Sequence, residues 1–210
     1  MRESPAKKKT LRASEQERED VVQARKAFRE EVEKICAEDL VFVDESGIST
    51  AMTRLYGRSP VGERAYGSVP AGHWTQVTML GGLSLQGMIA CMSIQSATDT
   101  PVFAAFTREV LVPALRPGQV VILDNLSPHK ADEVRALIEG AGCRLLLLPP
   151  YSPDLNPIEQ AWSKLKTLLR SAAARTKEAL EHALTDVIDQ ITAADAHGWF
   201  AHCGYASAPN

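Results

Sequence analysis

Residues 120–159 read "VVILDNLSPHKADEVRALIEGAGCRLLLLPPYSPDLNPIE", and their order of patterns decides the fold. Two apolar runs, "VVILD" and "CRLLLLP", are too short for helices and are bounded by Asp, Gly and Pro, so each reads as a buried strand. Between them, "SPHKADEVRALIEGAG" has helical periodicity, and a second helix begins after the prolines, from Pro157 to about Ala174. Strands joined through a helix lie parallel in one sheet.

Upstream the pattern changes. "LVFVDESG" (40–47) is a β-branched strand. "HWTQVTMLGGLS" (73–84) and "GMIACMSIQ" (87–95) are two further strands meeting at the Gly-containing turn "SLQG", which fits an antiparallel hairpin. A helix is expected over Pro101–Leu115, another over Thr176 to about Thr192, and one more over "VVQARKAFREEVEKI" (21–35). The predicted order β-β-β-α-β-α-β-α gives an α/β fold: a mixed five-stranded sheet, three strands antiparallel and the rest parallel, flanked by helices.

With 210 residues, 45% hydrophobic and 23% charged, the chain has material for one mid-sized domain and short appendages. The net charge of -3 declares no nucleic-acid partner by itself. Its distribution says more. Arg2, Lys7, Lys8, Lys9 and Arg12 face Glu3 alone in residues 1–12, and Lys164, Lys166, Arg170, Arg175 and Lys177 face Glu159 alone in residues 159–177. Residues 178–195 are acidic, so the sum conceals patches of both signs. The four cysteines form no C-x-x-C pair, as expected of reduced thiols in a cytoplasmic protein. No secretory signal pattern and no run of roughly 18 apolar residues is present, so no membrane partner is expected.

Three acids fall at telling points. Asp44 is expected at the end of the first strand, Asp124 at the end of the fourth, and Glu159 in the first turn of the helix after the fifth. Neighbouring parallel strands end on one side of a sheet, where their carboxylates can meet. Each acid also has a local reading. "DESG" and "DNLSP" would serve as turns. Asn156, Pro157 and Glu159 would serve as N-cap, first and third residues of a helix start.

At these residues the chain resembles the DDE transposases of the mariner-like superfamily, in its bacterial insertion-sequence branch. The likeness is carried by "VFVDESG" (41–47), "VILDNLSPHK" (121–130) and "LLLLPPYSPDLNPIEQAWSKLK" (145–166), with 34 residues between Asp124 and Glu159. It implies a ribonuclease-H-like catalytic domain over residues 39–175, preceded by a basic linker arm and helix (1–38) and followed by a helical extension (176–210). "SIQSATDTPVFAAF" (93–106) departs from the Gly- and Asn-rich turn usual in such proteins.

The resemblance also implies an activity: water cuts the transposon end, and the freed 3′-hydroxyl then attacks target DNA, commonly at a TA dinucleotide. Asp44, Asp124 and Glu159 are the expected catalytic and metal-binding set. Phosphodiester chemistry needs phosphate charge neutralised and a hydroxyl activated, which two divalent ions roughly 3.5 to 4 Å apart achieve. Mg2+, with Mn2+ able to substitute, is bound by a few such carboxylates, because it takes hard oxygen ligands and keeps several waters. Expected partners are double-stranded DNA, a second copy of the chain in a homodimer, and a separately encoded helix-turn-helix polypeptide, since the chain begins where the family's interdomain linker lies. Expected DNA contacts are Lys7, Lys8, Lys9, Arg12, His129, Lys164, Lys166 and Arg170. His129 reads equally well as an ordinary exposed residue, Trp162 reads as core on an apolar stripe with Ile158, Leu165 and Leu169, and His197, His202 and Cys203 read as structural. Two other readings stand beside the transposase: a non-catalytic regulator that pairs or competes with a full-length enzyme, and another nuclease on the same fold.

Overall fold

The computed structural model describes residues 13–70, 72–95, 97–125 and 132–205. Its centre is one five-stranded sheet of β1 (Leu40–Ser49), β2 (Gln76–Ser84), β3 (Gly87–Ile94), β4 (Val120–Leu123) and β5 (Arg144–Leu147), in the order β3-β2-β1-β4-β5. The hairpin side is antiparallel, β1 with β2 and β2 with β3, whereas β1–β4 and β4–β5 are parallel. This is the mixed sheet expected from the change in patterning.

Alternation along β1 divides the core. Leu40, Phe42 and Ile48 point to one face and Val41 and Val43 to the other, as a two-residue period requires. The second face is covered by α2 (Thr100–Phe106), which runs through a π-helical turn (Thr107–Leu111) into α3 (Val112–Ala114), and by α4 (Asp132–Gly140). The first face carries α1 (Glu19–Val32), α5 (Ile158–Ala172), α6 (Lys177–Ile188) and α7 (Ala193–His202). Phe28 and Val32 of α1, and Leu180, Leu184 and Phe200 of α6 and α7, are all buried there, so the arm helix and the C-terminal extension share one apolar cluster with the sheet.

Two local expectations need correction. β1 does not end at Asp44: it continues paired with β2 to Ser49, so "DESG" is strand rather than turn. The expected helix to Thr192 ends at Ile188, and Thr192 instead opens α7. There Thr192 Oγ1 accepts from the Asp195 N–H at 3.2 Å, and Asp195 Oδ2 accepts from the Thr192 N–H at 2.9 Å. This reciprocal cap starts a second helix, whose Phe200 packs edge-on against Phe42 with ring centroids 5.3 Å apart. Among the described residues no helix is long and apolar enough to cross a membrane.

Candidate active site

β4 is only four residues long, and its parallel ladder with β1 closes at the pair Val43–Leu123. The next residue on each strand is an aspartate. Asp44 and Asp124 therefore leave the same end of adjacent strands, Asp44 still held in the β1–β2 ladder and Asp124 just past β4. Asp44 is 8% exposed, on the face where α5 lies; Asp124 is partly exposed.

Glu159 comes from the other direction, in the first turn of α5 and exposed. The loop that delivers it is pinned on several sides. Tyr151 adopts a left-handed conformation with φ 55°. Ser152 Oγ donates to the Pro150 carbonyl at 3.0 Å, and a 3-10 turn follows over Pro153–Leu155. From α1, Arg25 donates to Ser152 Oγ at 2.7 Å and to both Asp154 carboxylate oxygens at 2.9 and 2.6 Å. Gln16 Nε2 donates to the Tyr151 carbonyl at 2.6 Å, and the Tyr205 hydroxyl donates to the Leu155 carbonyl.

The capping account of Glu159 does not hold. Asn156 has the extended dihedrals of an N-cap and Pro157 those of a first helical residue, but no side-chain cap bond forms, and the buried Asn156 Oδ1 has no partner among the described residues. The Glu159 N–H bonds instead to the Asn156 main-chain carbonyl at 3.2 Å. Neither half of a capping box is present, so Glu159 is not spent on starting its helix.

Glu159 and Asp124 both act on Asp44. Burial pushes the Asp44 carboxyl up to about 7, against the pull of the Glu45 N–H; repulsion from Glu159, then from Asp124, raises it further, and the Trp162 indole opposes them. A buried acid with two carboxylates acting on it carries an excess of negative charge that a divalent cation relieves. Among the described residues no group of three or more His, Cys, Asp or Glu could hold a single ion as it stands. Carboxylate oxygens are the hard donors that a divalent cation such as Mg2+ takes.

The other expected site residues divide. Lys7, Lys8, Lys9, Arg12 and His129 lie outside the described residues. Lys166 and Arg170 are partly exposed on α5. Lys164 is engaged internally, its ammonium donating to the Gln190 carbonyl at 2.7 Å and to Asp195 Oδ2 at 2.6 Å. Sequence reasoning missed the Arg25 clamp, whose partners are 127 and 129 residues away. It also passed over the long loop between β1 and β2, where Leu55, Tyr56, Val61, Tyr66, Val69 and Trp74 are exposed, Tyr56 at 90% and Tyr66 at 92%; that density of aromatics in a loop was the available signal.

A mixed sheet of this order, with two aspartates at the end of its central parallel pair, is the ribonuclease-H-like arrangement. Residues 39–181 match the family described as DDE superfamily endonuclease, and the chain belongs to that family. Among solved structures it is similar to the mariner Mos1 paired-end complex with Mg (TM-score 0.74, 15% identity, covering 97% of this chain and 66% of that chain). It is likewise similar to the Mos1 transposase paired-end complex with left transposon end (0.73, 15%, 97% and 67%) and to the catalytic domain of Mos1 mariner transposase (0.59, 15%, 92% and 93%). At such identities the likeness is one of fold. The chain spans about two thirds of the length of the Mos1 chains in those complexes. No curated protein sequence matches it.

Proposed function

We propose that the chain is the catalytic domain of a DNA transposase that performs metal-dependent strand cleavage and strand transfer, in cut-and-paste transposition of a bacterial insertion sequence. The observation that carries this reading is the convergence of Asp44, Asp124 and Glu159 from two adjacent parallel strands and a clamped helix start. The Mos1 structures similar in fold include complexes with a transposon end, with Mg and with Mn, and a strand transfer complex, which supports extending the reading to DNA and divalent metals.

In this mechanism Asp44, Asp124 and Glu159 would together hold the divalent ions, Mg2+ or Mn2+, through their carboxylate oxygens. When bound, the ions supply neutralisation of the phosphate and activation of the attacking hydroxyl. The protein's contribution is aim. The β-sheet fixes Asp44, and the Arg25-clamped loop fixes the entry of the helix that carries Glu159. DNA phosphates are held by Lys166 and Arg170, by Lys7, Lys8, Lys9 and Arg12 of the arm and by His129, while Lys164 is engaged by Asp195 and the Gln190 carbonyl. The exposed apolar and aromatic loop between β1 and β2 is the surface for a second copy in a homodimer, because exposed aromatic and apolar residues interspersed along the sequence with Arg54, Arg58 and Arg64 have the composition of an interface. A helix-turn-helix polypeptide supplies reading of the transposon ends, and the cytoplasm is the compartment in which such a DNA partner is met.

The deciding experiment pairs oligonucleotide cleavage with strand transfer in Mg2+ or Mn2+, for the wild type, Asp44→Asn and Asp124→Asn. Loss of both reactions by more than about 100-fold in either variant, beyond what loss of a supporting contact costs, is expected with the fold retained. Wild-type-like cleavage by both variants would overturn the assignment. Cutting without joining would make the protein a plain nuclease, and inactivity of the wild type with intact binding to a full-length transposase would make it a regulator.

A further inference from the structure

Trp162 is 2% exposed, as its place on the apolar stripe of α5 predicts, but packing is not all that its position explains. Its ring lies against β2 at Gly81, the residue directly opposite Asp44 in the β1–β2 ladder. A Cβ at Gly81 would come within 2.5 Å of Trp162 Cη2 and within 2.5 Å of Met88 Cε. Opposed residues in an antiparallel pair point to the same face, so the indole fills the space beside Asp44 that a side chain at position 81 would otherwise take.

The polar end of this ring is not satisfied by the core. Trp162 Nε1 is buried and has no hydrogen-bond partner among the described residues, a costly state for a buried donor. It is near enough to the Asp44 carboxyl to favour its ionised form, yet falls short of hydrogen-bond geometry. Trp162 also stands one turn after Glu159 on α5, so one helix start carries both an acid of the site and a donor beside another acid.

We propose that Trp162 is a positioning residue for Asp44: its Nε1–H donates to one Asp44 oxygen in the metal-loaded protein and thereby orients the carboxylate toward the ions, with Gly81 leaving the room this requires. Supporting donors of this kind orient ligating carboxylates and tune the metal they hold, and a hydrogen bond to an ionised oxygen is among the stronger ones. The inference rests on the reading of Asp44 as a metal ligand.

Two measurements on the full chain without DNA test it. The first is Mn2+ binding by electron paramagnetic resonance for the wild type, Asp44→Asn and Trp162→Phe, the last keeping an apolar ring and losing the N–H. Trp162→Phe is expected to weaken Mn2+ binding about tenfold or more with its melting temperature close to the wild type's. The second follows the 15N-labelled indole signals of Trp74, Trp162 and Trp199 in the wild type and in Asp44→Asn, with and without Mg2+. Only the Trp162 signal is expected to move with Asp44→Asn and with Mg2+. Mn2+ affinity of Trp162→Phe within twofold of the wild type, with binding lost in Asp44→Asn, would overturn the positioning role and leave the metal site standing. Equal binding by the wild type and Asp44→Asn would overturn both. Should Trp162→Phe fail to fold, a Trp162 indole signal indifferent to Asp44→Asn is by itself enough to reject the proposal.

Discussion

Arg25 of α1 holds Asp154 through both terminal nitrogens, Nη1 to Oδ1 at 2.9 Å and Nη2 to Oδ2 at 2.6 Å, five residues before Glu159. The guanidinium is 15% exposed and the carboxylate 47%, so the pair lies half sheltered under the loop. Such a fork fixes orientation as well as distance. Arg25 lies outside the 39–181 segment that matches the family, so the loop leading to Glu159 is held in part by a helix beyond that segment.

Arg25→Ala should therefore lower cleavage about tenfold, the scale of losing a supporting contact, at a stability cost of about 1 kcal/mol for a partly exposed pair. Arg25→Lys keeps the charge without the fork and should recover stability more fully than activity. Cleavage per folded molecule equal to the wild type's in Arg25→Ala would show that the clamp does not aim the acid.

A raised acid has the opposite linkage to a salt-bridged one. Asp44 titrates at about 7 when folded against an ordinary value of 3.8, so its ionised form is disfavoured by folding. No penalty exists below about pH 4, it grows as pH rises toward 7, and it is complete above 7. In metal-free buffer Asp44→Asn should match the wild type near pH 4 and exceed it at pH 8 by on the order of 2 to 4 kcal/mol as an upper bound. Mg2+ should stabilise the wild type and not the variant. Chemical denaturation across pH, with and without Mg2+, measures both, and a wild type as stable as Asp44→Asn at pH 8 contradicts the burial argument.

At Glu159, folding and chemistry should separate. No capping bond uses its side chain and it is exposed, so Glu159→Gln should leave stability within about 0.5 kcal/mol. Removing the anionic ligand should still reduce cleavage more than about 100-fold, more than an outer contact would cost. A clearly destabilised variant that remained active in proportion to its folded fraction would remove Glu159 from the catalytic set.

Much of this was legible in the chain because it depends on local periodicity. The hairpin, the parallel strands and the acids' placement follow from runs such as "VVILD" and "CRLLLLP", which can hardly be anything but buried strands in a chain of this length. The end of β1 was not legible. A strand ends where its partners let it: the ladder with β4 closes at Val43, one residue before Asp44, while β2 carries β1 on to Ser49. α7 was hidden for a different reason: the Thr192–Asp195 cap is a local signal, but the helix is fixed by Phe200 and Tyr205 packing on Phe42. The Arg25–Asp154 clamp joins residues 129 apart, and nothing in either neighbourhood announces the other.

Lys164 illustrates how a basic residue can be committed elsewhere. Its ammonium, then the Thr192 groups, hold the Asp195 carboxyl down to about 2, tying α5 to the start of α7. A lowered acid contributes stability above its ordinary value, and that contribution fades as pH falls from about 4 to about 2. Lys164→Ala should destabilise the fold by about 1 kcal/mol at neutral pH, the upper end for a partly exposed pair. The gap from the wild type should close by pH 2 in acid titrations. A gap that persists unchanged at pH 2 would mean the pair is not its source.

The same residue separates two uses of the α5 lysines and arginine when DNA is added. Lys166 and Arg170 are partly exposed, with no acidic partner among the described residues, whereas Lys164 is bound to Asp195 and the Gln190 carbonyl. Each phosphate contact releases condensed counterions, so the logarithm of affinity falls with the logarithm of salt by about 0.9 per contact on duplex DNA. Lys166→Ala and Arg170→Ala should each lower that slope by about 1 and weaken binding to terminal-repeat and random duplexes alike, since phosphate contacts position a protein without reading sequence. Lys164→Ala should change stability and leave the slope as it was. Fluorescence anisotropy over a salt series, run on both duplexes for the three variants, measures this directly. An unchanged slope in Lys166→Ala and Arg170→Ala would take this face of α5 off the DNA, and a loss confined to the terminal repeat would show that it reads sequence rather than charge.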